Sequence, residues 1–194
     1  MSLHPLLAVI HADPELIALL DWHLDFDVAA DLNPTWFRLA PFTPHVVVAR
    51  DGTDGAFVLC GSCDPVDRPL LYISSEAQAG VVGANLHEFV AILLSAPYWF
   101  DLLKFSGGGS LNEMRASEPH LQRELVEDQA ETIPACHVLR RRLGITPPSD
   151  PVAALHRSVV ELSGSYSVES PYGDTFESLF NRFTVADNPS WFGR

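Results

Sequence analysis

The stretch 45–60 constrains this chain more than any other. His45–Arg50 (HVVVAR) is a β-branched run, and Ala56–Cys60 (AFVLC) is a second apolar one. Between them, 51–55 (DGTDG) supplies Gly and Asp where a tight turn needs positive φ. Two such runs around such a turn read as a β-hairpin. A third strand is expected at 69–74 (PLLYIS) and a short one at 81–82. The strands cluster in mid-chain instead of alternating with helices, which is an α+β order.

Helix signals lie on both sides of this centre. Asp13–Pro14–Glu15 places an N-cap acid, a first-turn proline and a second acid at the positive end of the dipole. Leu16, Ile17, Leu19, Leu20 and Leu24 then supply an apolar face. The following acidic stretch, to Trp36, reads as irregular, and Asn33–Pro34 breaks any helix there. Asn85 with Glu88, and Ser110 with Glu113, are capping-box pairs. Leu86, Phe89, Val90 and Leu93 share one helical face, which Pro97 ends or kinks. Gly107–Gly109 reads as a flexible break. Further helices are expected over roughly 118–131, 134–143, 151–163 and 174–183, with Gly144 as a stop and Asp150–Pro151 as a new start. The expected fold is a small mixed or antiparallel sheet flanked by helices, with a helical C-terminal extension.

The chain has 194 residues, 47% of them hydrophobic, enough for one sizeable core. No apolar run approaches the roughly 18–20 residues that span a bilayer. The first twenty residues contain Asp13, Pro14 and Glu15 and no Lys or Arg, which is not a signal-peptide pattern. Three cysteines do not suggest a secreted disulfide framework. A cytoplasmic location is expected.

Charge carries the partner expectation. Twelve Lys plus Arg stand against 25 Asp plus Glu, a net charge of −13. Residues 1–100 hold twelve of the acids and only three of the bases. Such a field repels nucleic acid and anionic membrane and attracts basic proteins. The candidate partner-binding surface is the acidic set Asp21, Asp25, Asp27 and Asp31, together with Glu124, Glu127 and Asp128.

The motifs that suggest catalysis each lack a required residue. Cys60–Gly61–Ser62–Cys63 puts two thiols at a spacing that chelates zinc or cycles with a disulfide. Zinc needs two further ligands, and Cys136 and a His are the available suppliers. A thioredoxin-type site needs its first Cys at a helix N-terminus, whereas these follow a strand. The plain reading is two small residues around a hairpin end. His87–Glu88 lacks the second His of a zincin, and Gly107–Gly109 lacks the G-K-[ST] ending of a phosphate loop. Arg140–Arg142 sit in the last turn of a helix, where cations favour the negative dipole end. No catalytic residue, metal ligand or cofactor is therefore assigned.

The order strand, Asp-Gly turn, strand, strand and capped helix is carried by 51–60 (DGTDGAFVLC), 69–76 (PLLYISSE), 82–93 (VGANLHEFVAIL) and 96–99 (APYW). Over roughly 44–105 it resembles the SUKH superfamily, which includes the Smi/Knr-type cell-wall regulators and many bacterial proteins. The Leu-Pro-x-x-Tyr segment with which family members open has no counterpart in 31–42. The resemblance implies a SUKH-like α+β domain over 1–145, with 146–194 packed on it as the helical extension. It also implies binding as the activity. Bacterial relatives are similar to immunity proteins that neutralise a cognate toxin, often a basic nuclease. The alternatives are a Smi/Knr-type regulatory or scaffold adaptor, and a small redox or zinc protein built on Cys60 and Cys63.

Overall fold

Side-chain caps set where the helices begin. His4 Nδ1 accepts the Leu6 N–H at the start of α1 (Pro5–His11), and Asp13 accepts the Glu15 N–H at the start of α2 (Pro14–Leu24). Proline takes the first helical position in both, where its missing N–H is no loss. The strands follow: β1 (Arg38–Ala40), β2 (His45–Arg50), β3 (Ala56–Cys60), β4 (Leu70–Ile73) and β5 (Gln78–Gly83). Asn85 then accepts the Glu88 N–H at 2.8 Å to open α3 (Leu86–Leu93), and the Glu88 carboxylate turns back to the Ala84 N–H at 2.6 Å. After α4 (Trp99–Lys104), Ser110 caps α5 (Leu111–Asp128). Next come α6 (Thr132–Leu143), which Gly144 stops at φ 65°, and α7 (Pro151–Leu162), which Asp150 caps through the Ala153 N–H. Two short strands end the series, β6 (Ser167–Glu169) and β7 (Glu177–Ser178). The computed structural model describes residues 3–30, 32 and 34–192.

The main sheet has the order β2-β3-β4-β5-β7. Its first four strands form an antiparallel meander, and β7 joins β5 in parallel. The sheet is therefore mixed, and the chain is α+β. Strand periodicity divides β3 and β4 between two apolar layers. Phe57, Leu59, Leu70 and Tyr72 face the helices in the larger core. Ala56, Val58, Cys60, Leu71 and Ile73 face the other way, into a second core. A separate two-stranded sheet of β1 and β6 covers that second face, contributing Leu39 and Val168. Burial on both faces explains why these strands read as unbroken apolar runs instead of alternating ones. A register shift between Val47 and Ala49 lets β2 turn both Val48 and Ala49 toward the larger core.

Two helical expectations change. The expected helix over 118–131 starts earlier, at Leu111, because the Ser110 cap begins it. It runs through Pro119, which cannot donate to the Arg115 carbonyl; the buried Met114, Ser117 and Leu121 hold the helix in place across that gap. The helix expected over 174–183 does not form. Phe176, Leu179, Phe180 and Phe183 have helical spacing, but the backbone is extended or turned. Phe176 N–H donates to Val168 O, Glu177 N–H to Ala77 O and Gly108 N–H to Asn181 O. Extended geometry sends the four side chains to different places. Phe176 stacks on Trp36 against the second core, Leu179 is fully buried in the larger one, Phe180 packs on His156, and Phe183 meets Phe105. Of the expected helical extension, α7 lies against β5 and α3, and the remainder enters both sheets as β6 and β7.

Candidate binding cleft

Two acidic segments far apart in sequence meet over one cavity. Asp21 lies in the last turn of α2, and Asp25 is the residue that ends the helix. On α5, Leu121, Glu124, Leu125 and Asp128 follow the i, i+3, i+4, i+7 spacing of one face. Both segments border a cleft of about 580 Å³. Asp51 from the β2–β3 turn and Asp101 from α4 complete the ring of acids.

The turn is built around its own carboxylates. Asp51 Oδ1 accepts the Thr53 N–H (2.9 Å), the Thr53 hydroxyl (2.8 Å) and the Gly55 N–H (2.8 Å). Its other oxygen accepts the Tyr72 hydroxyl. Asp25, in the left-handed region at φ 53°, accepts the Gly52 N–H at 2.6 Å. A side chain at residue 55 would collide with both the Asp51 carboxylate and the Tyr72 oxygen, so this glycine is required by close approach.

Aromatic rings form the floor. Phe57 and Tyr72 stand side by side with centroids 4.9 Å apart, and Trp99 and Phe100 meet Tyr72 edge-on at 5.1 and 5.6 Å. Trp22 lies on the rim and is 83% exposed. The rim therefore combines exposed aromatic surface with several carboxylates.

The cleft keeps its negative charge. The ion pairs Arg38–Glu169, Arg50–Asp54, Arg115–Asp150, Arg142–Asp13, Arg142–Glu15 and Arg157–Glu88 all draw their acids from elsewhere. Among the described residues, the carboxylates of Asp21, Asp101 and Asp128 accept no hydrogen bond and join no ion pair. Burial raises the Asp25 carboxyl above its usual range against the opposing Gly52 hydrogen bond, and Asp51 and Asp21 raise it further. Burial likewise raises Asp101, opposed by Lys104 and reinforced by Glu124. The six acids ring the opening instead of converging. Among the described residues, no group of three or more His, Cys, Asp or Glu is arranged to hold a metal ion. The cleft offers a diffuse negative field over π faces, which suits an organic cation.

Of the seven acids expected to bind a partner, Asp21, Asp25, Glu124 and Asp128 come together here. Glu124 also accepts the Trp191 indole N–H at 2.6 Å and so ties the C-terminal segment to α5. Asp27 does not border the cleft. Its backbone exchanges two hydrogen bonds with Arg50, and its carboxylate accepts the Ala29 N–H, so it extends the sheet edge. Glu127 lies on the exposed side of α5 outside the cleft walls. Asp31 falls outside the described residues. The sequence reading missed Asp51, Asp101, Trp22 and the aromatic floor. Asp51 was legible only as a turn residue, and Asp101 lies two residues beyond the Pro-aromatic segment 96–99.

The three cysteines are free thiols, and Cys60 and Cys63 separate. Cys60 points into the second core, where burial pushes its thiol up to about 12, while Cys63 is exposed. Burial pushes Cys136 up to about 11 against the pull of Arg140. Thiolate is the reactive form, so maleimide at neutral pH is expected to label Cys63 at once and the other two only on unfolding. Mass spectrometry of the labelled peptides checks this; rapid native labelling of Cys60 would contradict it. Two of the three arginines in 140–142 have structural partners. Arg142 bonds Asp13 and Glu15, and Arg140 bonds the Leu94 carbonyl.

Compared with known proteins, the chain matches no family model, no curated protein and no solved structure. No helix among the described residues is long and apolar enough to cross a membrane.

Proposed function

We propose that this chain is a non-enzymatic protein-binding domain, an immunity protein of SUKH type that neutralises a cognate basic toxin in the cytoplasm. The observation that carries the reading is the cleft: carboxylates without ion-pair partners, set over an aromatic floor, with Trp22 exposed at the rim. A nuclease-type toxin presents Lys and Arg for phosphate, and an acidic partner competes for that surface and is steered to it. The strand–turn–strand–strand–helix order over 45–93 supports the family part of the reading. The Asp51–Tyr72 pair supports binding over acid–base chemistry. The Tyr72 hydroxyl is buried, and burial together with the Asp51 bond raises its pKa far above neutrality.

Co-expression with the product of the neighbouring reading frame tests the proposal. The expected result is a frame that encodes a toxin, restored growth of the host, and a stable complex whose association slows steeply with added salt. The absence of a toxin frame beside the gene, continued killing without a complex, or a flat salt response would each overturn it.

A further inference from the structure

The acidic cleft shares a wall with a second cavity. Pro97, Tyr98 and Leu125 border it on one side and border that second cavity, of about 380 Å³, on the other. Their chemistry differs sharply. The second chamber is walled by Leu94, Leu125, Val126 and Ile133, and Val126 is 54% and Ile133 36% exposed. Its fixed charge is positive. Arg140 reaches in from α6, donating through Nη2 to the Leu94 carbonyl at 2.8 Å and the Ser95 hydroxyl at 3.4 Å, while its buried Nε has no acceptor.

These observations select one kind of occupant. A cation is drawn to the first chamber by Asp21, Asp101 and Asp128 and is repelled from the second by Arg140. An apolar side chain gains nothing among the carboxylates but covers Val126 and Ile133 in the second. We propose that the two adjoining cavities take a single protein segment of the basic partner, laid across their shared wall, with an arginine side chain in the first chamber and an aliphatic side chain in the second. Arginine fits better than lysine, because its planar guanidinium pairs with carboxylates in a bidentate way and stacks on aromatic faces such as Trp22 and Phe100. The inference rests on the binding reading above and names the element of the partner that is recognised. Both chambers lie within the usual size range of ligand pockets.

Blocked peptides of the form acetyl-Arg-(Gly)n-Leu-amide, with spacers of different length, test this by titration of isotope-labelled protein in nuclear magnetic resonance. The best spacer is expected to bind about tenfold more tightly than its Arg-(Gly)n-Ser counterpart, the factor that burial of one aliphatic side chain supplies. It is also expected to shift the Trp22 indole and the Val126 and Ile133 methyl signals together. Val126→Ser with Ile133→Ser is expected to remove the leucine gain and leave arginine binding in place. Both positions are exposed, so the fold survives the change. Val160→Ser, exposed on α7, serves as a control with unchanged titration. If the arginine peptides bind at the cleft with no gain from leucine, the two-chamber inference falls and the acidic-cleft reading stands. If no peptide shifts the cleft signals, both fall.

Discussion

The triple variant Asp21→Asn, Asp101→Asn, Asp128→Asn is expected to bind the basic partner about a hundredfold more weakly and to unfold at a higher temperature than the parent. The affinity loss follows from removing three carboxylates that, among the described residues, join no ion pair. At about 1 kcal/mol for each contact, below the roughly 1.5–7 kcal/mol of coupling between close interfacial charges, the loss reaches two decades. The salt dependence of association flattens with it. The stability gain has the same origin: like charges crowd the cleft, and relieving such crowding usually yields ~0.5–2 kcal/mol.

Asp101 shows the sign most clearly. Its pKa is raised in the folded chain, first by burial. Between the unfolded and the folded value, the folded state therefore holds a proton that the unfolded chain has already released. Its contribution is fully present below the unfolded carboxylate value and is lost as pH rises through the folded one. Asp101→Asn alone is then expected to be more stable than the parent at neutral pH, with the gap closing as pH falls and the carboxyl becomes neutral. Thermal melts of both proteins from neutral to acid pH check this; a gap that widens toward acid would contradict it. Asp150 behaves oppositely. Its pKa is lowered, first by the Ala153 N–H and then by Arg115, so its contribution is present above the unfolded value and lost in acid. Comparing each variant with the parent separates the two trends.

Leu179→Ala is the second large effect, expected to cost roughly 2–5 kcal/mol of stability. Leu179 is fully buried in the larger core, and its Cδ1 lies 3.0 Å from where a side chain at Gly80 would begin. It pins the parallel β7–β5 pairing to the sheet. By contrast, Tyr172→Ala, at a side chain 94% exposed on the preceding turn, is expected to change stability by less than about 0.5 kcal/mol. Chemical denaturation of both variants measures the difference. Similar midpoints for the two would mean that this segment is not woven into the core.

Local signals were legible where one short stretch suffices to set the geometry. The hairpin around 51–55 formed in place because Asp51 and Asp54 belong to a turn whose hydrogen bonds close within five residues. The starts at Pro14, Leu86 and Pro151 followed their caps, which act over two or three residues; the Ser110 cap likewise sets the start of α5, seven residues before the expected one. The segment 174–183 shows the opposite case. Its apolar spacing is that of a helix, but Phe176, Leu179, Phe180 and Phe183 are claimed by Trp36, by Gly80 on β5, by His156 on α7 and by Phe105 at the end of α4, which no local window contains. The free edge of β5 also offers hydrogen bonds that an isolated helix does not need, and Glu177 takes them. Asp27 illustrates the same limit within the acidic set. Its charge is visible in sequence, while its role as a sheet-edge residue depends on Arg50 lying opposite.

Sequence alone determined the α+β order, the hairpin, the helix starts and the strong negative charge, because each depends on residue type and short spacing. Tertiary structure alone decided which acids act together. Asp21 and Asp25 lie about a hundred residues from Glu124 and Asp128, and only the packing of α2, α4 and α5 around the sheet brings them to one opening. It also placed Asp51, Asp101 and the aromatic floor beside them, and left Arg140 lining the adjoining cavity. Charge is a property of composition, but a change of field between neighbouring cavities exists only where the fold holds opposite charges a short distance apart.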